Sequence, residues 1–332
     1  MRLLSWNVAG IRARLKQGRL DFLLDGEYDV VCFQETKATQ AEVEKDVKSD
    51  IYTRLSAVYP HQYWHNTGGV SQRKGLSGTA IWCKTAPRRE IDPPAFDTEG
   101  RITCIEYEKF RLLTVYTPNS NTPKHARAVY RAQVWDKEFR AYVATLNADG
   151  GPPLVLCGDF NVARRDIDVY HAEKWKGQAG LLPEERAGFE ALLSDGFVDV
   201  FRVFDPNPKR YTYWNQKIPV FRPRNIGWRI DYFLVTESLL PYCTNPAILP
   251  DVPGSDHCPI ALDIFQKSKP HRVLVAVLPE SLPKEIANLP DSDLQIALEA
   301  TGAERAHIDD YSRDALKHEL LKRVIDSKAK HT

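Results

Sequence analysis

The sequence predicts an α/β fold in which sheet layers carry helices packed outside them. Three observations lead there. Short apolar runs bounded by turn residues recur through residues 1–265. Several are rich in Val, Ile and Leu without polar alternation, as in strands covered on both faces. Helix-period stretches lie between some of them, which suits helices on the outside of sheets.

In chain order, strands are expected at 3–8, 30–34, 79–83, 102–107, 112–116, 154–157, 232–235 and 260–265. Residues 126–144 read as a helix, with Val129, Val134, Phe139 and Val143 set among charges. Residues 184–194 read as another, carrying Phe189, Leu192 and Leu193. The 22 prolines gather in connections, notably 87–94, 206–223 and 241–253. Loops of that length in a compact domain are often functional. After Phe265 the composition changes. Residues 266–272 form a polar break, and 273–278 could make one short strand. Ser292 and Gln295 look like a capping box, with Gly302 as a stop. Leu316, Leu320, Leu321, Val324 and Ile325 form the stripe of a last helix. The expected organisation is a domain over 1–266 and a small, mainly helical extension over 267–332. That last helix would dock on the domain, pair with its neighbour, or act as a partner- or DNA-binding arm.

Composition bounds the function. Of 332 residues, 43% are hydrophobic and 10% aromatic, which excludes global disorder. No apolar run approaches a membrane span, and the start turns polar too soon for a secretory signal. Lys and Arg number 45 against 44 Asp and Glu, so any affinity for a polyanion must be local. The six cysteines are scattered without C-x-x-C spacing, which fits reduced thiols in an intracellular protein and gives no zinc ribbon.

Chemistry shows at the ends of the strands. Asn7, Glu35, Asp159, Asn161 and the pair Asp256-His257 stand at strand ends, and Asp231 is wedged in an apolar run. One strand-end Asp is usually a turn residue. Seven such groups together suit a hydrolytic site for phosphodiesters. Carboxylates give hard oxygen ligands to a divalent cation. Amides donate to phosphate without repelling it. An imidazole held by a carboxylate can polarise the phosphoryl group or act as base. From Pro206 to Ile230 there are six Lys/Arg and no Asp or Glu, with Tyr211, Tyr213, Trp214, Phe221 and Trp228 interleaved. Cations contact phosphates and aromatics pack on sugars and bases, so this stretch is a candidate nucleic-acid surface. Arg73-Lys74 and Lys124-His125-x-Arg127 are further candidates.

These residues sit in motifs. Leu4-Ser5-Trp6-Asn7, Gln34-Glu35-Thr36-Lys37, Gly75–Ala80, Glu99-Gly100-Arg101, Tyr116-Thr117-Pro118-Asn119, Gly158-Asp159-Phe160-Asn161, Gly227–Tyr232 and Gly254–Ile260 follow one another in an order that resembles the exonuclease III-type apurinic/apyrimidinic (AP) endonucleases. Those belong to the endonuclease/exonuclease/phosphatase superfamily. The resemblance spans about residues 1–266. It implies a four-layer α/β-sandwich, two packed and mostly antiparallel sheets flanked by helices. It implies incision 5′ to abasic sites, with 3′→5′ exonuclease and 3′-phosphodiesterase work at the same site. It implies Mg²⁺, with Mn²⁺ able to serve, and double-stranded DNA with abasic sites or blocked 3′ ends as partner to a monomer.

By resemblance, Glu35 is the principal metal ligand. Asp256 orients His257 or joins the metal site, and Asn7 contacts phosphate or metal water. His257 contacts the scissile phosphate and pairs with Asp231. Asp159 positions or activates the water, with Asn161 helping. Tyr116 and Asn119 stabilise the pentacovalent state or the leaving oxygen. Tyr213, Trp228 and Ile230 wall a pocket for an extruded abasic sugar. Arg101 holds a backbone phosphate, and Arg224 belongs to the basic surface. Three departures stand out. Ala9 occupies a position where the family usually has Asp or Asn, which implies a higher Mg²⁺ requirement. Ser120-Asn121-Thr122 lacks a basic side chain that some relatives insert into the duplex, and Leu76 replaces an aromatic of some relatives. A phosphatase of inositol phosphates or lipids is a competing reading, opposed by the Trp228 region. A weakened DNA-binding protein is another, opposed by the intact carboxylates.

Overall fold

The computed structural model describes residues 1–46, 50–67, 75–205, 207 and 209–265. The expected elements of the extension and Arg73-Lys74 lie outside the described residues. The chain divides into two units: residues 1–201 with 207–267, and 202–206 with 268–332. Only 202–205 of the second are described.

The first unit holds two six-stranded sheets. One is built from β1 (Arg2–Asn7), β2 (Val30–Gln34), β3 (His61–His65), β4 (Thr79–Cys83), β11 (Cys243–Ile248) and β12 (Ile260–Ile264), ordered β11-β12-β1-β2-β4-β3. The other comprises β5 (Arg89–Ile91), β6 (Ile102–Glu106), β7 (Arg111–Tyr116), β8 (Leu154–Asp159), β9 (Phe197–Asp199) and β10 (Asp231–Thr236), ordered β5-β6-β7-β8-β10-β9. Each sheet has one parallel pair at its centre, β1–β2 in the first and β7–β8 in the second. All other pairings are antiparallel.

Alternation explains the layering. Leu4, Trp6, Val8, Val31 and Phe33 point outward from the first sheet into a core with α1 (Ile11–Lys16), α2 (Gln40–Asp46) and α3 (Ile51–Val58). Leu113, Val115, Leu154, Leu156 and Leu234 do the same on the second sheet, against Trp135, Phe139, Phe189 and Leu192. Phe139 and Phe189 come from α5 (Asp136–Ala148) and α6 (Pro183–Ser194). The inner faces are mainly apolar, with Leu3, Cys32, Ile81, Leu112, Val155 and Cys157 buried on them and a few polar pairs set among these. Gln34 Nε2 donates to Thr114 Oγ1 at 2.7 Å and to Ser5 Oγ at 2.9 Å, and the Thr79 and Thr103 hydroxyls lie 2.8 Å apart. This is the four-layer sandwich, helices–sheet–sheet–helices, and every strand at the sheet centres is buried on both sides.

The helix expected over 126–144 is present, with Phe139 and Val143 buried as expected and Val129 and Val134 turned outward. α4 (Ala126–Tyr130) passes through a π-helical turn (Arg131–Trp135) into α5. Val129 and Val134 are 61% and 45% exposed. The buried stripe is Ala128, Arg131, Trp135, Phe139 and Val143. All six cysteines are buried and outside any disulfide. Among the described residues no helix is long and apolar enough to cross a membrane.

Candidate active site

The two central parallel pairs run in one sense toward a common edge. Their carboxyl ends carry Asn7 on β1, Glu35 just after β2, Tyr116 on β7 and Asp159 on β8. The antiparallel neighbours β12 and β10 start at that edge, so His257 precedes β12 and Asp231 opens β10, opposite Asp159 in register. Strand ends at a change of chain direction leave room for polar groups that the sheet interior cannot hold.

The chain bends sharply to aim these groups. Glu35, Lys37 and Asn161 adopt positive φ, which only a well-supported loop holds. Gly158 has φ of 132°, and a Cβ there would lie 2.1 Å from the Val115 carbonyl oxygen, so only glycine lets β8 pass β7 and deliver Asp159.

Asp231, His257 and Asp159 form the tightest group. His257 Nδ1 lies 2.8 Å from Asp231 Oδ2, and Nε2 lies 3.7 Å from Asp159 Oδ2. All three are nearly inaccessible. Burial alone would lower the imidazole, but Asp231 and Asp159, the Asp231 hydrogen bond and Asp256 outweigh it and push His257 up to about 10. Burial raises the Asp159 carboxyl; His257 opposes, but Asp231 and Glu35 add to the rise and hold it well above the ordinary carboxylate range.

Asn7 spans two carboxylates, its Nδ2 donating to Asp159 Oδ2 at 2.9 Å and Glu35 Oε1 at 3.1 Å. Its Oδ1 accepts from the Ala9 amide at 3.1 Å. In this arrangement Asn7 turns its amide hydrogens to the two carboxylates and its oxygen to the Ala9 amide. Glu35 Oε2 pairs with Lys37 Nζ at 2.7 Å. Burial pushes Glu35 up, but Lys37, Asn7 and His257 hold it below its ordinary value.

Asp256 stands apart. Its Oδ1 lies 3.2 Å from Ser255 Oγ, whose hydrogen goes to the Asn7 carbonyl, and it makes no hydrogen bond to the imidazole, so Asp231 orients His257. Asn161 donates its backbone N–H to Asp159 Oδ1 at 2.8 Å and its Nδ2 to Asp159 Oδ2 at 3.3 Å. Asn119, exposed, donates to Asn161 Oδ1 at 2.8 Å. Tyr116 is partly buried beside this group. Burial, then the nearby Glu35 charge, push its phenol well up.

Beside His257 lies an apolar cluster of Val169, Leu181 and Ile230 with Trp175, Tyr213 and Trp228. The Tyr213 ring centroid is 5.0 Å from that of His257, and the Trp228 centroid 6.1 Å from that of Trp175. Ile230 is buried, so it forms the floor of the cluster rather than a wall.

The basic-aromatic stretch is only partly a surface. Arg224 is exposed. Arg229 is fully buried between Asp168 and Asp199, and Tyr211 and Trp214 are buried. Arg222 donates to the Ser255, Pro250 and Val252 carbonyls and stacks 4.7 Å over Trp214. Arg101 is likewise 2% exposed and paired with Glu99, so it does not present a cation to a phosphate. Salt-bridge and packing demands took these side chains inward.

Sequence reasoning missed the supports. Arg131 donates to the Pro118, Phe160 and Asn161 carbonyls at 3.0, 2.8 and 3.3 Å, tying together the loops of Asn119 and Asn161. A charge at an apolar-stripe position was the signal for it. Ser255 Oγ donates to the Asn7 carbonyl at 2.7 Å and accepts from the His257 amide at 3.2 Å. Thr212 Oγ1 accepts from the amides of Ile230 and Asp231.

Residues 4–257 match the Endonuclease/Exonuclease/phosphatase family. The chain belongs to that family. The DNA repair nuclease APEX1 of Danio rerio is 40% identical over 79% of this chain and 81% of its own length. An exodeoxyribonuclease of Bacillus subtilis is 39% identical over 80% of this chain and 99% of its own. Among solved structures, an AP endonuclease from Archaeoglobus fulgidus superposes with TM-score 0.68 at 26% identity, over 80% of this chain and all of that one. AP endonuclease LMAP from Leishmania major superposes with TM-score 0.66 at 30% identity, over 80% of this family member and 87% of its own chain.

Proposed function

We propose that residues 1–266 form a Mg²⁺-dependent AP endonuclease of DNA repair, with Mn²⁺ able to replace Mg²⁺. It hydrolyses the phosphodiester 5′ to an abasic site, leaving a 3′-hydroxyl and a 5′-deoxyribose phosphate. The observation that carries this reading is one juxtaposition. A buried Asp231–His257 pair and Asp159 stand directly against an apolar cluster containing Tyr213, Trp228 and Ile230. An abasic nucleotide is cheap to extrude, and an apolar cluster beside the catalytic groups suits its bare sugar. The same chemistry acts on blocked 3′ ends and in 3′→5′ exonuclease steps.

The residues fit a divalent cation. Asp231 Oδ1 is buried without a hydrogen-bond partner, and burial, with Asp231 and Glu35 against the opposing His257, raises Asp159, so the site holds carboxylate charge that a cation would offset. Asp159, Asp231 and His257 bring ligand-type atoms within 4.8 Å of one another. A protonated imidazole is no ligand, so Glu35, the principal ligand by resemblance, would hold the ion and leave Asp159 to act on the attacking water. Bound there, it would offset charge on the phosphoryl oxygens and favour an ionised water. His257, kept cationic by Asp231, donates to a phosphoryl oxygen. Asp159, steadied by Asn7 and Asn161, takes the proton of the attacking water. Asn119 and Tyr116 would stabilise the leaving oxygen as it develops charge.

The test is a duplex with one abasic analogue, incubated with Mg²⁺ or EDTA. Incision only with Mg²⁺ is expected, and no incision under any metal condition overturns the reading. Ala9 sharpens it. Its φ of 47° is a conformation that Asp and Asn tolerate better than Ala. Ala9→Asp should lower the Mg²⁺ needed for half-maximal incision and tighten Mg²⁺ binding measured by calorimetry. Ala9→Gly, which relaxes the backbone without adding an oxygen, should change neither. Equal Mg²⁺ requirements for Ala9→Asp and wild type would remove Ala9 from the account.

A further inference from the structure

The geometry points to Arg101 as a positioning residue for Tyr116. Its guanidinium stacks 4.5 Å over the Tyr116 ring, and its Nη1 donates to the Tyr116 carbonyl at 3.0 Å. The Tyr116 amide in turn donates to the Arg101 carbonyl at 2.8 Å. Backbone and ring of Tyr116 are thus held by one residue.

Arg101 is itself immobilised. Its Nε donates to Glu99 Oε2 at 2.6 Å. Arg127 binds the same carboxylate with two N–H groups, at 2.8 and 3.2 Å. Asp97 Oδ2 accepts the amides of Arg101 and Ile102 at 2.7 and 2.8 Å, and the Ser77 hydroxyl donates to the Glu99 carbonyl. Gly100 turns the chain at φ of 67°, where a Cβ would lie 2.2 Å from the Asn66 Cα. A planar guanidinium fits this task because it can stack and donate at once. A cation meant for DNA would gain nothing from being enclosed.

This inference rests on the role given to Tyr116 in incision. Removing the clamp lets the ring leave its productive orientation, and displacements of about 1 Å can cost on the order of 10²-fold in rate. The test measures kcat and KM on the abasic duplex for Arg101→Gln, Tyr116→Phe and the double variant. Arg101→Gln is expected to lose roughly tenfold or more in kcat with KM within about twofold, and the double variant to be no slower than Tyr116→Phe, as for residues acting through one group. Losses that multiply, or a raised KM with a shallower salt dependence, would overturn the inference in favour of a phosphate contact. Arg101→Lys keeps the charge but not the planar fork. It should stay slow, and recovery of full rate would also count against positioning.

A second readout needs no activity. With 3-fluorotyrosine at position 116, the ¹⁹F resonance should shift and broaden on Arg101→Gln or Arg101→Lys, and an unchanged line rejects the clamp. A responding resonance in a chain that never incises DNA would sink the functional reading and leave the positioning intact.

Discussion

Asp159→Asn and His257→Asn should each cut incision by about 10²–10⁴, the range for a lost acid–base group, while moving stability in opposite directions. Asp159 is a buried carboxyl facing Asp231 and Glu35. Its folded-state pKa lies above its ordinary 3.8, so ionising it opposes folding. Below pH 3.8 it is protonated in both states and costs nothing. As pH rises, the unfolded chain releases its proton first, and the penalty grows until the folded pKa is passed. Asp159→Asn should therefore melt higher than wild type in EDTA, by about 2–4 °C for each kcal/mol recovered. The gain should be absent near pH 3.5, full above neutrality, and reduced by Mg²⁺. His257 has the reverse sign. Its pKa is pushed up to about 10 by Asp231 and Asp159 against the effect of burial, so its contribution is full below 6.5 and fades only through pH 10. Removing it leaves two buried carboxylates without their cation, at a cost of about 3–5 kcal/mol. His257→Asn should thus be inactive and less stable at pH 7. Thermal melts beside incision rates decide the matter. If Asp159→Asn melts lower than wild type in EDTA, the site does not hold the carboxylate charge inferred from it.

How far the sequence could be read follows from what each residue does. Val30–Gln34 and Thr79–Cys83 were legible because strands buried on both faces are apolar throughout. β3, His-Gln-Tyr-Trp-His, was not, because an edge strand is half exposed and needs no aliphatic run. β11 was hidden by Pro246 and a register shift, both tolerated at a sheet edge. The strand-end carboxylates were legible because packing gives no reason for them. The direction of an amide or an arginine was not. Asn7 shows its N–H groups to the carboxylates, Arg131 and Arg229 turn inward to partners distant in sequence, and Arg101 turns inward to Glu99 and the Tyr116 carbonyl. Charge in a sequence says that a partner is needed, not whether it is solvent, DNA or a buried aspartate.

Arg229 gives that distinction its clearest test, because it belongs to the basic stretch and yet should act on stability alone. Its Nε donates to Asp168 Oδ1 at 2.8 Å, and its two Nη groups donate to Asp199 at 2.9 and 2.6 Å. The guanidinium also lies 4.4 Å from the Tyr232 ring centre. Arg229 is 0% exposed, and both aspartates are buried. Arg229→Met would strand them at a cost of about 3–5 kcal/mol. For a domain of this size that corresponds to a melting point lower by about 6–20 °C. Adding Asp168→Asn and Asp199→Asn should restore much of the loss, since the expense lies in unpaired charge rather than in the missing arginine. Folded Arg229→Met should bind abasic duplex with an unchanged salt dependence. Exposed Arg224 predicts the converse: Arg224→Ala should leave the melting point alone and, if it meets a phosphate, reduce the slope of log affinity against log salt by about 1. A stable Arg229→Met with weakened, less salt-sensitive binding would mean that the guanidinium leaves its aspartates to meet DNA, and that the buried arrangement is not the one that works on substrate.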